Sequence, residues 1–210
     1  MSPIEKSQEI KAYFQEKLDL FGTTPRGVDW NSSWAQELRF DQILKVCDPS
    51  KKFSLLDYGC GFGSLAFYMR KKGWDFEYFG YDILESMIIK AREIHKENPE
   101  YIFSSDERSL PQVDYVVESG IFNIQLDPSF EKWTAYVLDT LNTMNRISTR
   151  GLSFNFLTKY SDPEYMKPNL YYADPCFMFD YSKAHFSRNV ALLHDYDLYD
   201  FTILVRKVVP

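Results

Sequence analysis

Apolar residues recur at helical spacing over residues 4–20, placing Ile10, Tyr13, Phe14 and Leu18 on one face of a predicted amphipathic helix. Phe21-Gly22-Thr23-Thr24-Pro25-Arg26-Gly27 breaks that pattern with turn formers and reads as a loop. A second helix is predicted over 32–46, with Ser32 or Ser33 as its cap and Trp34, Leu38, Ile43 and Leu44 as its apolar contacts. Asp48-Pro49-Ser50 ends that segment.

The period then changes. Short apolar runs at Phe53–Tyr58, Phe76–Tyr81, Tyr101–Phe103, Val113–Val117 and Gly151–Leu157 read as strands. Helical stretches at Ser64–Lys72, Ile83–Lys96 and Phe130–Met144 lie among them, the first closed by Gly73 at its C′ position. Strands alternating with helices predict βαβ units and a parallel sheet, hence an α/β fold. The end of the chain differs. Val190–His194 and Phe201–Val209 are two strands separated only by Asp195–Asp200, too short a gap for a parallel crossover, so they are expected to be antiparallel. Residues 158–182 read as a long connection rich in Tyr, Pro and Asp. Connections of that length often serve function, so it is either a lid or a packed surface loop.

One loop concentrates the chemistry. Asp57-Tyr58-Gly59-Cys60-Gly61-Phe62-Gly63 joins the first predicted strand to its helix. Alternate glycines let a ligand approach the backbone where a Cβ would stand in the way, and the following helix offers free N–H groups. Asp82 ends the next strand, 19 residues after Gly63. In doubly wound sheets an acid there accepts hydrogen bonds from a ribose diol, which points to a cofactor containing a nucleoside. The glycine spacing is G-x-G-x-G rather than the G-x-G-x-x-G of dinucleotide binders, and an acid precedes it. Asp57 would repel a pyrophosphate and attract the sulfonium and ammonium of S-adenosylmethionine (SAM).

With these residues the chain resembles the class I SAM-dependent methyltransferases over about residues 50–209. The resemblance is carried by Leu55 through Gly63, by Gly80-Tyr81-Asp82-Ile83 with Met87 and Ala91-Arg92, by Ser105-Asp106, and by Val113 through Asn123. It implies a Rossmann-like, seven-stranded, mostly parallel sheet with the last strand antiparallel. It also implies SAM as cofactor and S-adenosylhomocysteine (SAH) as product. The loop of Gly59, Cys60, Gly61 and Gly63 would touch the methionine part, and Asp82 the ribose hydroxyls. Asp106 would accept from the adenine amine, or merely cap the following turn. Glu118 and Ser119 would sit beside the methionine moiety, unless Glu118 is a solvated strand end. Cys60 has no basic neighbour in sequence and is expected to be a small loop residue rather than a nucleophile.

In many small-molecule members of that family N-terminal helices cap the cofactor. By that resemblance residues 1–49 would be a helical cap and 50–210 the SAM-binding domain. Trp30 would pack on the ligand, and Arg39 would pair with the methionine carboxylate. The bland alternative is a packed Trp and a surface Arg.

On the acceptor side, Tyr165, Tyr171, Tyr172 and Phe177 are candidates to wall a site. Asp174-Pro175-Cys176-Phe177 half resembles the Asp-Pro-Pro-aromatic motif of base and amide N-methyltransferases, but that motif belongs after strand four, where this chain has Glu118-Ser119-Gly120-Ile121. His194, Glu118 or a tyrosine such as Tyr172 would be the general base if the acceptor must lose a proton. Arg188, Lys159 or Arg26 would hold a phosphate-type acceptor. His95 is expected to be solvated.

Composition narrows the acceptor. Among 210 residues, 24 Lys and Arg against 30 Asp and Glu leave a net charge of −6, which disfavours a sequence-blind nucleic-acid binder. Cys47, Cys60 and Cys176 are too few for a disulfide framework and fit no zinc spacing, and no metal site is evident. No apolar stretch resembles a signal peptide or a membrane span, so a cytoplasmic protein is expected. The expectation is a methyltransferase acting on an oxygen or nitrogen of a small molecule, such as a sugar or phosphate-type precursor of a bacterial surface polysaccharide. An RNA or protein methyltransferase, or a binder that kept the fold without catalysis, are the rivals.

Overall fold

The computed structural model describes residues 3–28, 32–125 and 129–208. The chain divides into two compact units, Met1–Phe40 with Asp48–Pro111, and Asp41–Cys47 with Gln112–Pro210.

The first unit opens with helix α1 (Pro3–Phe21), and helix α2 (Ser33–Ile43) follows, its first turn capped by Ser32, whose hydroxyl accepts from Ala35 N at 3.1 Å. Then β1 (Phe53–Tyr58), α3 (Ser64–Lys71), β2 (Phe76–Tyr81), α4 (Glu85–Ile94) and β3 (Ile102–Ser104) alternate. The strands are parallel and ordered β3-β2-β1. The run Phe-Ser-Leu-Leu-Asp-Tyr of β1 is buried at nearly every position, as a strand covered on both faces must be. Gly73 follows α3 with φ +73°, the left-handed stop that its position predicts. The apolar stripe of α1 packs where it should: Leu18 and Phe14 meet Phe62, Leu84 and Met87, and Gln15 accepts a 2.7 Å bond from Ser86.

The second unit contains β4 (Val113–Val117), α5 (Phe130–Ile147), β5 (Ser148–Thr158), β6 (Tyr172–Ala173), α6 (Pro175–His185), β7 (Asn189–Leu193) and β8 (Asp200–Arg206). Strand order is β4-β5-β8-β7, with β6 beside the end of β5. β4 and β6 run parallel to β5, whereas β8 is antiparallel to both β5 and β7. Helix α5 buries Trp133, Val137, Leu141, Met144 and Ile147, a stripe at helical period, and Ser129 caps its start by accepting from Lys132 N at 3.3 Å.

The class is therefore Rossmann-like α/β, mostly parallel with antiparallel C-terminal strands. Two details differ from the sequence reading. The described residues hold eight strands rather than seven, the extra one being the two-residue β6. The connection at 158–182 is also no loop throughout. Asp174 accepts from Cys176 N at 2.9 Å and from Phe177 N at 3.4 Å, and Pro175 takes the first helical position, so Asp174-Pro175 starts α6.

Candidate active site

The loop after β1 is pinned by its own backbone. Gly59 N and Cys60 N both donate to Tyr81 O, at 2.7 and 2.8 Å. Gly61 N donates to Asp82 Oδ2 at 2.9 Å, and Asp82 Oδ1 accepts from Leu84 N at 2.9 Å. One carboxylate thus ties the loop to the start of α4. Gly61 sits at φ +52°, and a Cβ there would stand 2.7 Å from Val28 Cγ1. Conformation and space both demand glycine at this point. The result is a fixed backbone cradle that a ligand can approach closely.

Two acids underlie the cradle. Asp57 is buried at the end of β1, and the Tyr78 hydroxyl donates to its Oδ2 at 2.7 Å. Burial pushes its pKa up to about 7, against the Tyr78 bond that lowers it, and the charge of Asp82 raises it further. Burial likewise lifts Asp82 to about 6, opposed by the amides of Leu84 and Gly61. Two carboxyls so destabilised as anions are ready to favour a cationic ligand. Tyr78 escapes sequence reading, although it lies in β2 opposite Leu55 and thus two residues from Asp57's level.

The other first-unit candidates sort by surroundings. Cys60 is buried, its thiol donates to Gly61 O at 3.4 Å, and burial beside Asp57 holds it protonated, as expected of a loop residue. Met87 is 1% exposed inside the Leu18, Phe62 and Leu84 cluster, so it is a core residue. Ile83 lies half-buried between Asp82 and the helix. Ser105 bonds Glu85. Asp106 caps a 3-10 turn, accepts from Arg108 N at 3.1 Å and pairs with Arg108 Nε at 3.0 Å, which holds its carboxyl below the usual range. Any contact with adenine would share an already engaged group. Arg39 is 8% exposed, not a surface residue, and donates to Ala35 O at 3.0 Å. Trp30 lies outside the described residues.

His95 overturns its expectation. It is 2% exposed rather than solvated, with Nε2 3.1 Å from Gly63 O and its ring against Phe67, Tyr101 and Phe103. Burial lowers its pKa.

In the second unit Glu118 is no solvated strand end. It is fully buried, and its carboxylate accepts from Asn155 N at 2.8 Å and Ile121 N at 3.3 Å. Asn155 answers from the middle of β5: its Oδ1 accepts from Gly120 N at 3.0 Å and its Nδ2 donates to Ser119 Oγ at 3.2 Å. The turn after β4 is thereby locked. Asn155 is another residue that sequence reading misses; the signal is a polar side chain inside Phe154-Asn155-Phe156.

The acceptor-side candidates are split. Tyr171 is 1% exposed with its hydroxyl 2.9 Å from Thr134, a core residue and no wall. The Tyr172 hydroxyl accepts from Lys167 N at 2.9 Å, and Phe177 stands exposed on α6. His194 follows β7, which is parallel to β5, and is exposed at the strand ends. Its ring lies 6.0 Å from Tyr160 and 6.1 Å from Phe201. Tyr165 and Tyr199 face each other at 5.9 Å, and Lys159 pairs with Asp174 at 2.8 Å. Arg188 and Arg26 are exposed. Among the described residues no group of three or more His, Cys, Asp or Glu is placed to hold a metal ion, and no helix is long and apolar enough to cross a membrane.

A methyltransferase-domain family matches residues 49–144. The chain is 45% identical over 168 residues to Rv1506c of Mycobacterium tuberculosis, whose name gives it provisionally as a methyltransferase; the match covers 79% of this chain and 98% of that protein. In structure it is similar to magnesium protoporphyrin IX methyltransferase from Synechocystis PCC 6803 with bound SAH (TM-score 0.65, 16% identity, 98% of this chain and 100% of that one). It is also similar to the N-methyltransferase NodS from Bradyrhizobium japonicum WM9 in complex with SAH (TM-score 0.64, 11% identity, 94% and 97% of the two chains). At these identities the structural likeness bears on the fold.

Proposed function

The chain belongs to the class I SAM-dependent methyltransferases, and on that premise we propose that it methylates an oxygen or nitrogen of a small molecule. The observation that carries the small-molecule reading is the exposed aromatic pairs Tyr160–His194 and Tyr165–Tyr199, which offer ring-sized faces, with the Lys159 ammonium 5.1 Å from the Tyr160 ring. The net charge of −6 agrees with it. Of the structural neighbours, one is named as a magnesium protoporphyrin IX methyltransferase and another as an N-methyltransferase. Among small acceptors, a sugar or sugar-phosphate precursor of a surface polysaccharide is the first to try, since aromatic faces suit the C–H surface of a ring.

When bound, SAM supplies an activated methyl group on a sulfonium with a good leaving group. The chain's task is then mainly positioning and charge. Asp82 would accept from the ribose diol with lone pairs left over from Gly61 and Leu84. Asp57 would attract the positive charges of the methionine end. The positive-φ glycines keep the loop backbone open to close approach. Residues 1–49 would act as the cap and 50–210 as the SAM-binding domain. His194 is the first candidate to take a proton from a hydroxyl or ammonium acceptor, with Tyr172 and Glu118 behind it because both are already hydrogen-bonded.

The test is methyl-labelled SAM incubated with the protein and a cell extract split by size. Label in the small fraction is the expected result and yields a compound to identify by mass. Label in the large fraction transfers the reading to RNA, protein or finished polysaccharide, separated by nuclease, protease and glycosidase. Silence in both, with SAM still bound, would favour a non-catalytic binder.

A further inference from the structure

We propose that His95 is a positioning residue for the cofactor loop, holding the Gly63 carbonyl so that the loop stays set to receive the methionine end of SAM. The proposal rests on the reading that this loop contacts SAM, and it deepens it.

The geometry is specific. A carbonyl can only accept, so at 3.1 Å from Gly63 O the imidazole must carry its proton on Nε2. The other nitrogen, Nδ1, is buried and has no partner among the described residues. Burial favours the neutral ring, against the backbone of Gly63 and Phe62, which favours the charged one, and the Gly63 carbonyl selects the Nε2–H tautomer. The ring plane is set by Phe67 at 4.3 Å, Phe103 at 5.4 Å and Tyr101 at 5.6 Å between centroids. Its fit to Gly63 is mutual. Gly63 has φ +80°, and a Cβ there would lie 2.7 Å from His95 Nε2, so the ring fills the space that glycine leaves.

The placement makes α4 a brace for the loop. Asp82, just before the helix, takes the Gly61 amide, and His95, just after it, takes the Gly63 carbonyl. Gly63 is also where α3 begins, and its carbonyl receives Ala66 N at 3.2 Å. Losing the imidazole would free the loop's last peptide to rotate while leaving the strands in place. The expected cost falls on cofactor affinity more than on folding.

Full-length His95→Leu, His95→Gln and Asp82→Ala are titrated with SAH by calorimetry, alongside thermal unfolding. Gln restores an N–H donor near the Nε2 position. His95→Leu should weaken SAH about tenfold, the loss of roughly one hydrogen bond's worth of preorganisation, and His95→Gln should recover most of it. Folded His95→Leu with SAH affinity within about twofold of wild type would overturn the proposal. Equal SAH affinity for wild type and Asp82→Ala would instead sink the assignment of the loop as the SAM site. Should His95→Leu not fold, imidazole nitrogen NMR of wild type decides. An Nε2–H tautomer whose signals move on SAH addition is expected; an Nδ1–H tautomer, or signals that SAH leaves unchanged, would contradict it.

Discussion

The loop after β1 in the first unit and the aromatic rim at the strand ends of the second are built on opposite principles. The loop is over-determined: Tyr81, Asp82 and His95 each hold its backbone, and two glycines leave no room for a side chain. The rim is open. Tyr160, Tyr165 and Tyr199 are exposed, and what holds them lies at the surface: ring pairs, Lys159 over Tyr160, and the Tyr199 hydroxyl donating to Asp162. A rigid cradle suits one invariable ligand, whereas an exposed rim can be retuned without disturbing the fold. This contrast explains why the cofactor is named by the chain's chemistry and the acceptor is not.

The comparison is best broken at the cradle. Gly61→Val forces a β-branched residue to φ +52° and into Val28, so SAM affinity should fall on the order of a hundredfold, read by calorimetry. Near-normal affinity would show that the loop is looser than its bonding implies. Asp82→Ala removes the acceptor of two amides together with the proposed ribose partner, and should weaken SAM about thirtyfold.

The acid pair can be tested by pH. Asp57 and Asp82 bind protons up to about 7 and about 6 in the free protein. A cationic ligand favours their ionised forms, so binding should release protons. SAM affinity should rise about tenfold from about pH 5.5 to about pH 7.5, and the calorimetric heat should depend on buffer ionisation. The same shifts act on folding with a defined sign. A carboxyl raised from 3.8 to about 7 favours the folded state below its unfolded pKa and loses that contribution as pH rises through about 7. Asp57→Asn should therefore flatten the decline in stability across that window, and an unchanged pH profile would count against the buried acid.

The rim predicts smaller and more selective effects. His194→Ala should cut kcat about a hundredfold on an acceptor that must lose a proton while leaving SAH affinity unaltered, measured once a substrate is found. Equal turnover removes His194 from the chemistry. Tyr165→Ala should raise the acceptor KM a few-fold with kcat little changed, since it loses only stacking area.

Legibility follows the same division. The bounds of β1, β2 and β4 agree with the apolar runs because each run ends in buried positions and is followed within two residues by Gly, Asp or Ser. The glycines announce themselves because local backbone demands select them, and Asp57 and Asp82 because an acid stands out near the end of an apolar strand. Residues whose role depends on distant partners do not. His95 looks solvated at the end of an amphipathic helix, and rings from outside that helix, Phe67, Tyr101 and Phe103, bury it. Glu118 needs Asn155 from another strand to become a lock rather than a strand end. The missed helix α6 is a different failure. Asp174-Pro175 is a legible start signal, hidden by the Tyr and Pro content around it.

A crystal structure of the protein with SAH tests the central claim most directly. The account predicts both ribose hydroxyls within hydrogen-bond reach of Asp82 and the homocysteine chain along Gly59–Gly63. SAH bound away from Asp82, or a loop rearranged so that Gly61 and Gly63 leave their positive-φ conformations, would contradict it.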